Sequence, residues 1–151
     1  MIEIHIESEN GTLYGYVVSP HEINLKNYLD ENVGYSDSIM NILKKENRAV
    51  ALLRNLWVDE ECRGQGEGSY LVGEFLQEAS QHGADTVLLV CDNNESQLTG
   101  FKLQEFYEGF DFVACVNKDE DPLMVNDEDL AEKIAKAVKR QQALEADFEP
   151  N

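Results

Sequence analysis

The sequence predicts an α/β protein whose strands form a mixed, mostly antiparallel sheet around one parallel strand–helix–strand unit, with flanking helices. Three features support this fold class: an N-terminal pair of alternating strands, a strand–glycine loop–helix–strand pattern between residues 49 and 91, and a long amphipathic helix near the C-terminus. A chain of 151 residues is long enough to close one hydrophobic core. We therefore expect a single domain over residues 1–151.

The first two elements form a predicted hairpin. Isoleucines alternate with polar residues over positions 2–6, which is typical of a half-buried strand. Asn10-Gly11 follows and is a favoured two-residue hairpin turn. Residues 13–19 then form the second predicted strand, and Pro20 ends it.

Residues 21–47 predict two helices, over 22–29 and 36–45, separated by a break at 32–34. Ser36 or Asp37 is the expected N-cap of the second helix. In a small-molecule enzyme of this size, such a segment often forms one wall of the acceptor site.

The most informative block begins at residue 49. An apolar strand over 49–58 is interrupted by Arg54-Asn55, and a helix over 69–82 carries one apolar stripe. Gly83 suits the position just after that helix. The continuous apolar run over 86–91 is typical of a central parallel strand that is covered on both faces. This order predicts a βαβ crossover.

The C-terminal half predicts a helix over 97–107, strands over 110–116 and 123–125, and an amphipathic helix over 127–147. Acidic residues in the first turn of the last helix and basic residues further on match the helix dipole. Packing within the chain is the expected role of its apolar face, and a homodimer contact is the alternative. That face contains Leu130, Ile134, Ala137, Val138 and Leu144.

Composition restricts the partners. Thirty acidic and twelve basic residues give a net charge of −18, which repels nucleic acid and anionic membranes and attracts cations. We therefore expect no nucleic-acid and no membrane partner, although acidity can also serve solubility alone. The N-terminus lacks a signal-peptide pattern and the apolar runs are too short to span a membrane, so a cytoplasmic protein is expected. The cysteines, Cys62, Cys91 and Cys115, are too scattered for a disulfide framework or a metal site.

The loop Arg63–Ser69 has the chemistry of a pyrophosphate site. A helix N-terminus presents backbone N–H groups without partners and a partial positive charge. Glycines at 64, 66 and 68 let the backbone wrap a phosphate, and the arginine adds a charged donor. The spacing lacks the Gly-Lys-Ser/Thr of a nucleotide P-loop and the G-x-G-x-x-G of dinucleotide folds.

Residues 57–72 resemble the acetyl-CoA segment of the GNAT N-acetyltransferase superfamily. The family pattern Gln/Arg-x-x-Gly-x-Gly/Ala corresponds to Arg63-x-x-Gly66-x-Gly68, directly after a strand that ends in Trp57-Val58. A second segment, Phe-Tyr-Glu-Gly-Phe-Asp-Phe over 106–112, is similar to the family's Phe-Tyr-Glu-x-x-Gly-Phe. The resemblance extends over about residues 49–116.

The resemblance implies acetyl-CoA as the co-substrate, no metal, and two parallel strands that splay apart around the pantetheine arm. It also implies that Tyr107 gives a proton to the departing thiolate. The residues that it assigns to the cofactor are Leu56, Trp57, Val58, Arg63, Gly64, Gln65, Gly66, Gly68, Ser69 and Asn94.

The function predicted by this resemblance is transfer of an acetyl group to a primary amine, by direct attack, in a cationic small molecule or a peptidyl amine. The alternative is a non-catalytic GNAT-fold protein that binds a basic partner with its acidic surface. A different α/β protein that binds a flavin or nucleotide is a third possibility.

Several positions depart from the family pattern. Asp111 replaces a glycine, and aspartate tolerates the left-handed backbone better than most residues. Glu67 stands where an apolar residue is usual, inside the predicted phosphate loop. The strand before the loop has no carboxylate to act as a general base, which leaves a water held by Asn55, or a carboxylate. The candidate carboxylates for this general base are Asp59, Glu60 and Glu22.

Overall fold

The computed structural model describes residues 1–93 and 102–147, which form two compact units. The first unit contains residues 1–19 and 48–89, and the second contains residues 20–47 and the described residues from 90 onward. The expectation of a single domain over 1–151 stays a prediction. The elements are β1 (Ile2–Glu7), β2 (Gly11–Val18), α1 (Ile23–Asn32), α2 (Ser36–Glu46), β3 (Val50–Val58), α3 (Glu67–Gln81), β4 (Thr86–Val90), α4 (Leu103–Glu108), β5 (Val113–Val116), β6 (Leu123–Val125) and α5 (Glu128–Asp147).

In the first unit the strands lie in the order β1-β2-β3-β4. β2 pairs antiparallel with both β1 and β3, whereas β3 and β4 run parallel. Helix α3 connects these parallel strands and packs on the sheet. Four of its side chains are buried, and together they form the core of this unit with the strands: Leu71, Val72, Phe75 and Ala79. The predicted mixed α/β fold, with a parallel βαβ unit, is confirmed.

The β1–β2 turn lies one residue earlier than the sequence predicts. The Ser8 N–H donates to the Gly11 carbonyl at 3.0 Å, so Glu9 and Asn10 occupy the middle of the turn. Gly11 instead begins β2, opposite Val58 of β3. A Cβ on Gly11 would lie 2.7 Å from the Trp57 carbonyl oxygen. The glycine is therefore required by close contact with β3 and not by the turn.

Strand β3 is continuous, although the sequence predicts an interruption at Arg54-Asn55. Tyr14 pairs with Asn55 and Gly15 pairs with Leu53, which leaves Arg54 as the extra residue of a β-bulge. A bulge allows two consecutive residues to be exposed within one strand. The two polar residues therefore face solvent without ending the strand.

The second unit contains α1, α2, α4, α5 and the antiparallel pair β5 and β6. Helix α5 packs on α2 and on both strands, so the predicted packing within the chain is confirmed. The buried side chains of its inner face are Leu130, Ala131, Ile134 and Val138. Within the described residues, no helix is long and apolar enough to cross a membrane.

Leu144 is an exception to the predicted apolar face, because 54% of it is exposed. Near the start of α2, Ser38 donates to Gln141, and the Tyr35 hydroxyl accepts from Gln142 at 3.0 Å. The two helices are antiparallel, so the end of α5 extends past the first residue of α2. Leu144 lies on this extension.

Two boundaries differ from the prediction because of left-handed residues. Tyr35, with φ 55°, is the N-cap of α2, and the Ser36 hydroxyl donates to Asp30. The strand predicted over 110–116 begins only at Val113, because Asp111 has φ 69°. A helix is predicted over residues 97–107. In the structure α4 begins at Leu103, and residues 97–101 lie outside the described residues.

Gly15 gives a test of this packing. A Cβ there would lie 2.2 Å from the Leu52 carbonyl oxygen and 2.6 Å from the Phe75 ring. Gly15→Ala should lower the free energy of unfolding by about 1–3 kcal/mol, measured by urea denaturation. Gly73→Ala is the matched control, since its Cβ meets no atom within 4 Å and alanine favours the helix by about 1 kcal/mol. Equal effects of the two substitutions would contradict the close packing of α3 on β2.

Candidate active site

The segment between β3 and α3 forms an open glycine loop. After Val58 the chain makes one 3₁₀ turn over Glu60–Cys62 and then reaches Gly64 and Gly66, which have φ values of 83° and 89°. Such values are strained for residues with a side chain. A Cβ on either glycine would meet nothing within 4 Å. The glycines are therefore required by the backbone path, and space beside them is available to a ligand.

Helix α3 begins directly after this loop. Gly66 is its N-cap, without a side-chain cap, and the Tyr70 N–H closes the first turn by donating to the Gly66 carbonyl at 3.1 Å. The N–H groups of the first helical residues, which include Gly68 and Ser69, have no partner within the helix. Together with the helix dipole, such N–H groups favour the binding of an anion at the end of a helix.

Arg63 is held at the junction of strand and loop. Its Nε donates to the Val58 carbonyl at 2.9 Å, and its guanidinium carbon lies 4.9 Å from the centroid of the Trp57 ring. This cation–π contact keeps a positive charge beside the glycine loop. The other predicted residues of this segment lie in the loop or in the first turn of α3. They are Gly64, Gln65, Gly66, Gly68 and Ser69.

The Glu67 carboxylate points to the β1–β2 turn. Its two oxygens accept hydrogen bonds from the Asn10 backbone N–H at 2.9 Å and from Asn10 Nδ2 at 3.3 Å. The sequence did not indicate this partner, which lies far away along the chain. Two features of the sequence are consistent with this hydrogen-bonded pair. Glu67 is acidic where the family pattern is apolar, and Asn10 lies in the predicted Asn-Gly turn.

The end of β3 extends beyond its pairing with β4. Leu56, Trp57 and Val58 pair with β2 on one side, whereas the parallel pairing with β4 ends at Leu53 and Leu89. β3 continues to Val58 beyond that last pair. β4 itself ends at Val90, one residue after the last pair, so the predicted splaying of the two strands stays a prediction.

The glycine loop fits a diphosphate-bearing cofactor such as coenzyme A. It offers open space at the left-handed glycines, first-turn N–H groups and the Arg63 guanidinium. The residues that would hold the diphosphate are Arg63, Gly64, Gln65, Gly66, Gly68 and Ser69.

The loop is nevertheless in an acidic environment. Partial burial raises the pKa of the Cys62 thiol, and the charges of Glu67, Asp59, Glu61 and Glu9 raise it further. A thiol with a raised pKa is a poor nucleophile near neutral pH. Cys62 is therefore not suited to covalent catalysis at this site.

The other cysteines are core residues, as predicted. Burial raises the pKa of Cys91 and of Cys115 to about 12 in each case. Among the residues that the structure describes, no group of His, Cys, Asp and Glu could hold a metal ion.

Tyr107 lies in the second unit, on helix α4, and only 5% of it is exposed. Its ring packs edge-on against Phe106 at 5.3 Å and against Phe112 at 5.9 Å between centroids. Its carbonyl accepts from the Phe110 N–H at 2.9 Å, in the turn where Asp111 takes the left-handed conformation. The aspartate thus replaces the family glycine without loss of the turn.

The remaining predicted residues are distributed as follows. Asn94 lies outside the described residues. Asn55, Asp59 and Glu60 are exposed in the first unit, and Glu22 is the N-cap of α1 in the second. The general base is not assigned by this arrangement.

A family model described as an acetyltransferase (GNAT) domain matches residues 8–114, which is well over half of the chain. The chain therefore belongs to the GNAT acetyltransferase family, and the predicted family is confirmed. The match begins at residue 8, before the segment 49–116 over which the sequence motifs resemble the family. No curated protein sequence matches the chain.

Solved structures with a similar fold share little sequence with the chain. NAA60 of Arabidopsis thaliana in complex with acetyl-CoA is 14% identical, with a TM-score of 0.47 and coverage of 76% of this chain and 62% of that one. A mutant of the AtaT toxin, bound to the C-terminus of the antitoxin AtaR and to acetyl-CoA, is 16% identical, with a TM-score of 0.45 and coverage of 76% and 58%.

A third structure is AtaT complexed with acetyl-methionyl-tRNAfMet, which is 16% identical, with a TM-score of 0.44 and coverage of 76% and 61%. The chain thus spans about three fifths of the length of these proteins. At these identities and with TM-scores below 0.5, the likeness does not indicate the acceptor.

Proposed function

We propose that this protein is an N-acetyltransferase that transfers the acetyl group of acetyl-CoA to a primary amine. The observation that carries this proposal is the open glycine loop at the N-terminus of α3, in a chain that belongs to an acetyltransferase family. Acetyl-CoA supplies an activated thioester, which an amine can attack directly.

In this proposal the chain holds the cofactor mainly with backbone groups. The loop amides and the first turn of α3 bind the diphosphate, and the Arg63 guanidinium adds a charged donor. The backbone of Leu56–Val58, beyond the last β4 pair, binds the pantetheine arm. Asn94 belongs to the same proposed site.

Tyr107 is the proposed acid. Its hydroxyl donates a proton to the sulfur that leaves the acetyl carbon, while the amine nitrogen forms the new bond to that carbon. The similarity of residues 106–112 to the family's Phe-Tyr-Glu-x-x-Gly-Phe segment supports this role. The incoming ammonium must first lose a proton, to a water held by Asn55 or to a carboxylate.

The acceptor is proposed to be a cationic amine, in a small molecule or at a peptidyl position. The net charge of −18 attracts such a substrate and repels nucleic acid and anionic membranes. A cytoplasmic location and a homodimer belong to the same proposal.

The second candidate is a non-catalytic protein that binds a basic partner. The acidic charges around Cys62 favour it, since they oppose binding of a diphosphate at the adjacent loop. The two candidates differ in a measurable way: only the first requires both acetyl-CoA binding and turnover.

Cofactor binding is the first test. Isothermal titration of the protein with acetyl-CoA should show binding that Arg63→Ala weakens by about 10–100-fold, because a hydrogen bond to a charged group is lost. Gly66→Asp should abolish binding. Arg54→Ala is the matched control, since it removes an exposed arginine from the bulge of the same strand. If the folded wild-type protein does not bind, the enzyme proposal is wrong and the second candidate is favoured.

Turnover tests the role of Tyr107. In an assay of thiol release with a polyamine acceptor, Tyr107→Phe should lower kcat by about 100-fold, the low end for general acid catalysis, because a thiolate can also depart unprotonated. Acetyl-CoA affinity should stay unchanged, since phenylalanine keeps the ring packing. An unchanged kcat would show that Tyr107 is only a core residue.

A further inference from the structure

We propose that the β1–β2 turn, through Asn10, is a clamp that positions the cofactor loop, and that Glu67 is the positioning residue on the loop side. This inference rests on the proposed function. It concerns residues that neither the family pattern nor the cofactor chemistry assigns.

One residue bonds to both ends of the loop. The Asn10 carbonyl accepts from the Asp59 N–H at 2.8 Å, and the Asn10 N–H donates to a Glu67 oxygen at 2.9 Å. Asp59 directly follows β3, and Glu67 is the first residue of α3. The segment between them contains Arg63 and the glycines, so these bonds set the distance that the loop must span.

The neighbouring glycine allows the turn to approach this closely. An added Cβ on Gly11 would lie 2.7 Å from the Trp57 carbonyl, 3.0 Å from Leu71 and 3.2 Å from Val58. The turn therefore contacts the end of β3 and the start of α3 together. A turn with a larger residue here would be displaced from both.

Glu67 has two opposite effects on a bound diphosphate. Its negative charge, in the first turn of α3, repels phosphate. Its hydrogen bonds fix the first turn of the helix, and they hold the charge toward Asn10. Because a small displacement of a positioned group can cost much of its effect, the positioning contribution should exceed the repulsion.

Two substitutions separate these effects. Glu67→Gln removes the charge and keeps an oxygen that accepts from the Asn10 N–H. Glu67→Ala removes both the charge and the hydrogen bonds. Glu74→Ala is the matched control for charge, because Glu74 is an exposed acid on the same helix.

Acetyl-CoA affinity is measured for the wild type and the three variants by isothermal titration. Glu67→Ala should weaken binding about tenfold, whereas Glu67→Gln should bind at least as tightly as the wild type. Glu74→Ala should match the wild type. If both Glu67 variants bind more tightly by the same factor, or if all four proteins bind equally, the clamp is wrong.

Amide hydrogen exchange of the ligand-free proteins keeps this test separate from the proposed function. Glu67→Ala should speed exchange at residues 63–70 and leave the buried amides of β4 unchanged, while Glu67→Gln should resemble the wild type. Faster exchange in a protein that does not bind acetyl-CoA would support the clamp and reject the proposed function. Unchanged exchange at 63–70 would overturn the clamp.

Discussion

The candidate site depends on one local constraint: the chain must turn from the end of β3 into the first turn of α3, whose first N–H groups have no partner within the helix. Left-handed backbone at Gly64 and Gly66 makes this path possible, because residues with a side chain pay a strain energy there. Helix α3 is in turn fixed by Phe75 and its neighbours against the sheet. An anion site made in this way uses the backbone, so it needs few basic side chains.

A phosphate site made mainly of backbone groups is compatible with a strongly acidic chain. Partial burial raises the pKa of the Cys62 thiol, and the charges of the nearby carboxylates raise it further. The hydrogen bonds of Glu67 to Asn10 hold one of these charges in a defined direction. Fixed dipoles and Arg63 must therefore outweigh the remaining repulsion for a diphosphate to bind.

Much of this arrangement could be predicted from sequence, because it depends on local rules. The strand–loop–helix–strand pattern, the glycine after α3 and the tolerance of Asp111 for a left-handed turn follow from periodicity and backbone preference. The position of the β1–β2 turn could not be predicted, since close contact of Gly11 with β3 determined it. The bulge at Arg54 and the partner of Glu67 also depend on pairing between distant segments, which a local pattern does not contain.

The central claim is that the loop Arg63–Ser69 binds a diphosphate through its backbone amides. The most direct measurement is the change in the ¹⁵N–¹H resonances of Gly64, Gly66 and Gly68 on titration with coenzyme A, compared with pantetheine, which lacks the diphosphate. The account predicts large shifts of these glycine amides with coenzyme A and none with pantetheine. Glycine resonances that stay unchanged at saturating coenzyme A, or that move equally with pantetheine, would contradict it.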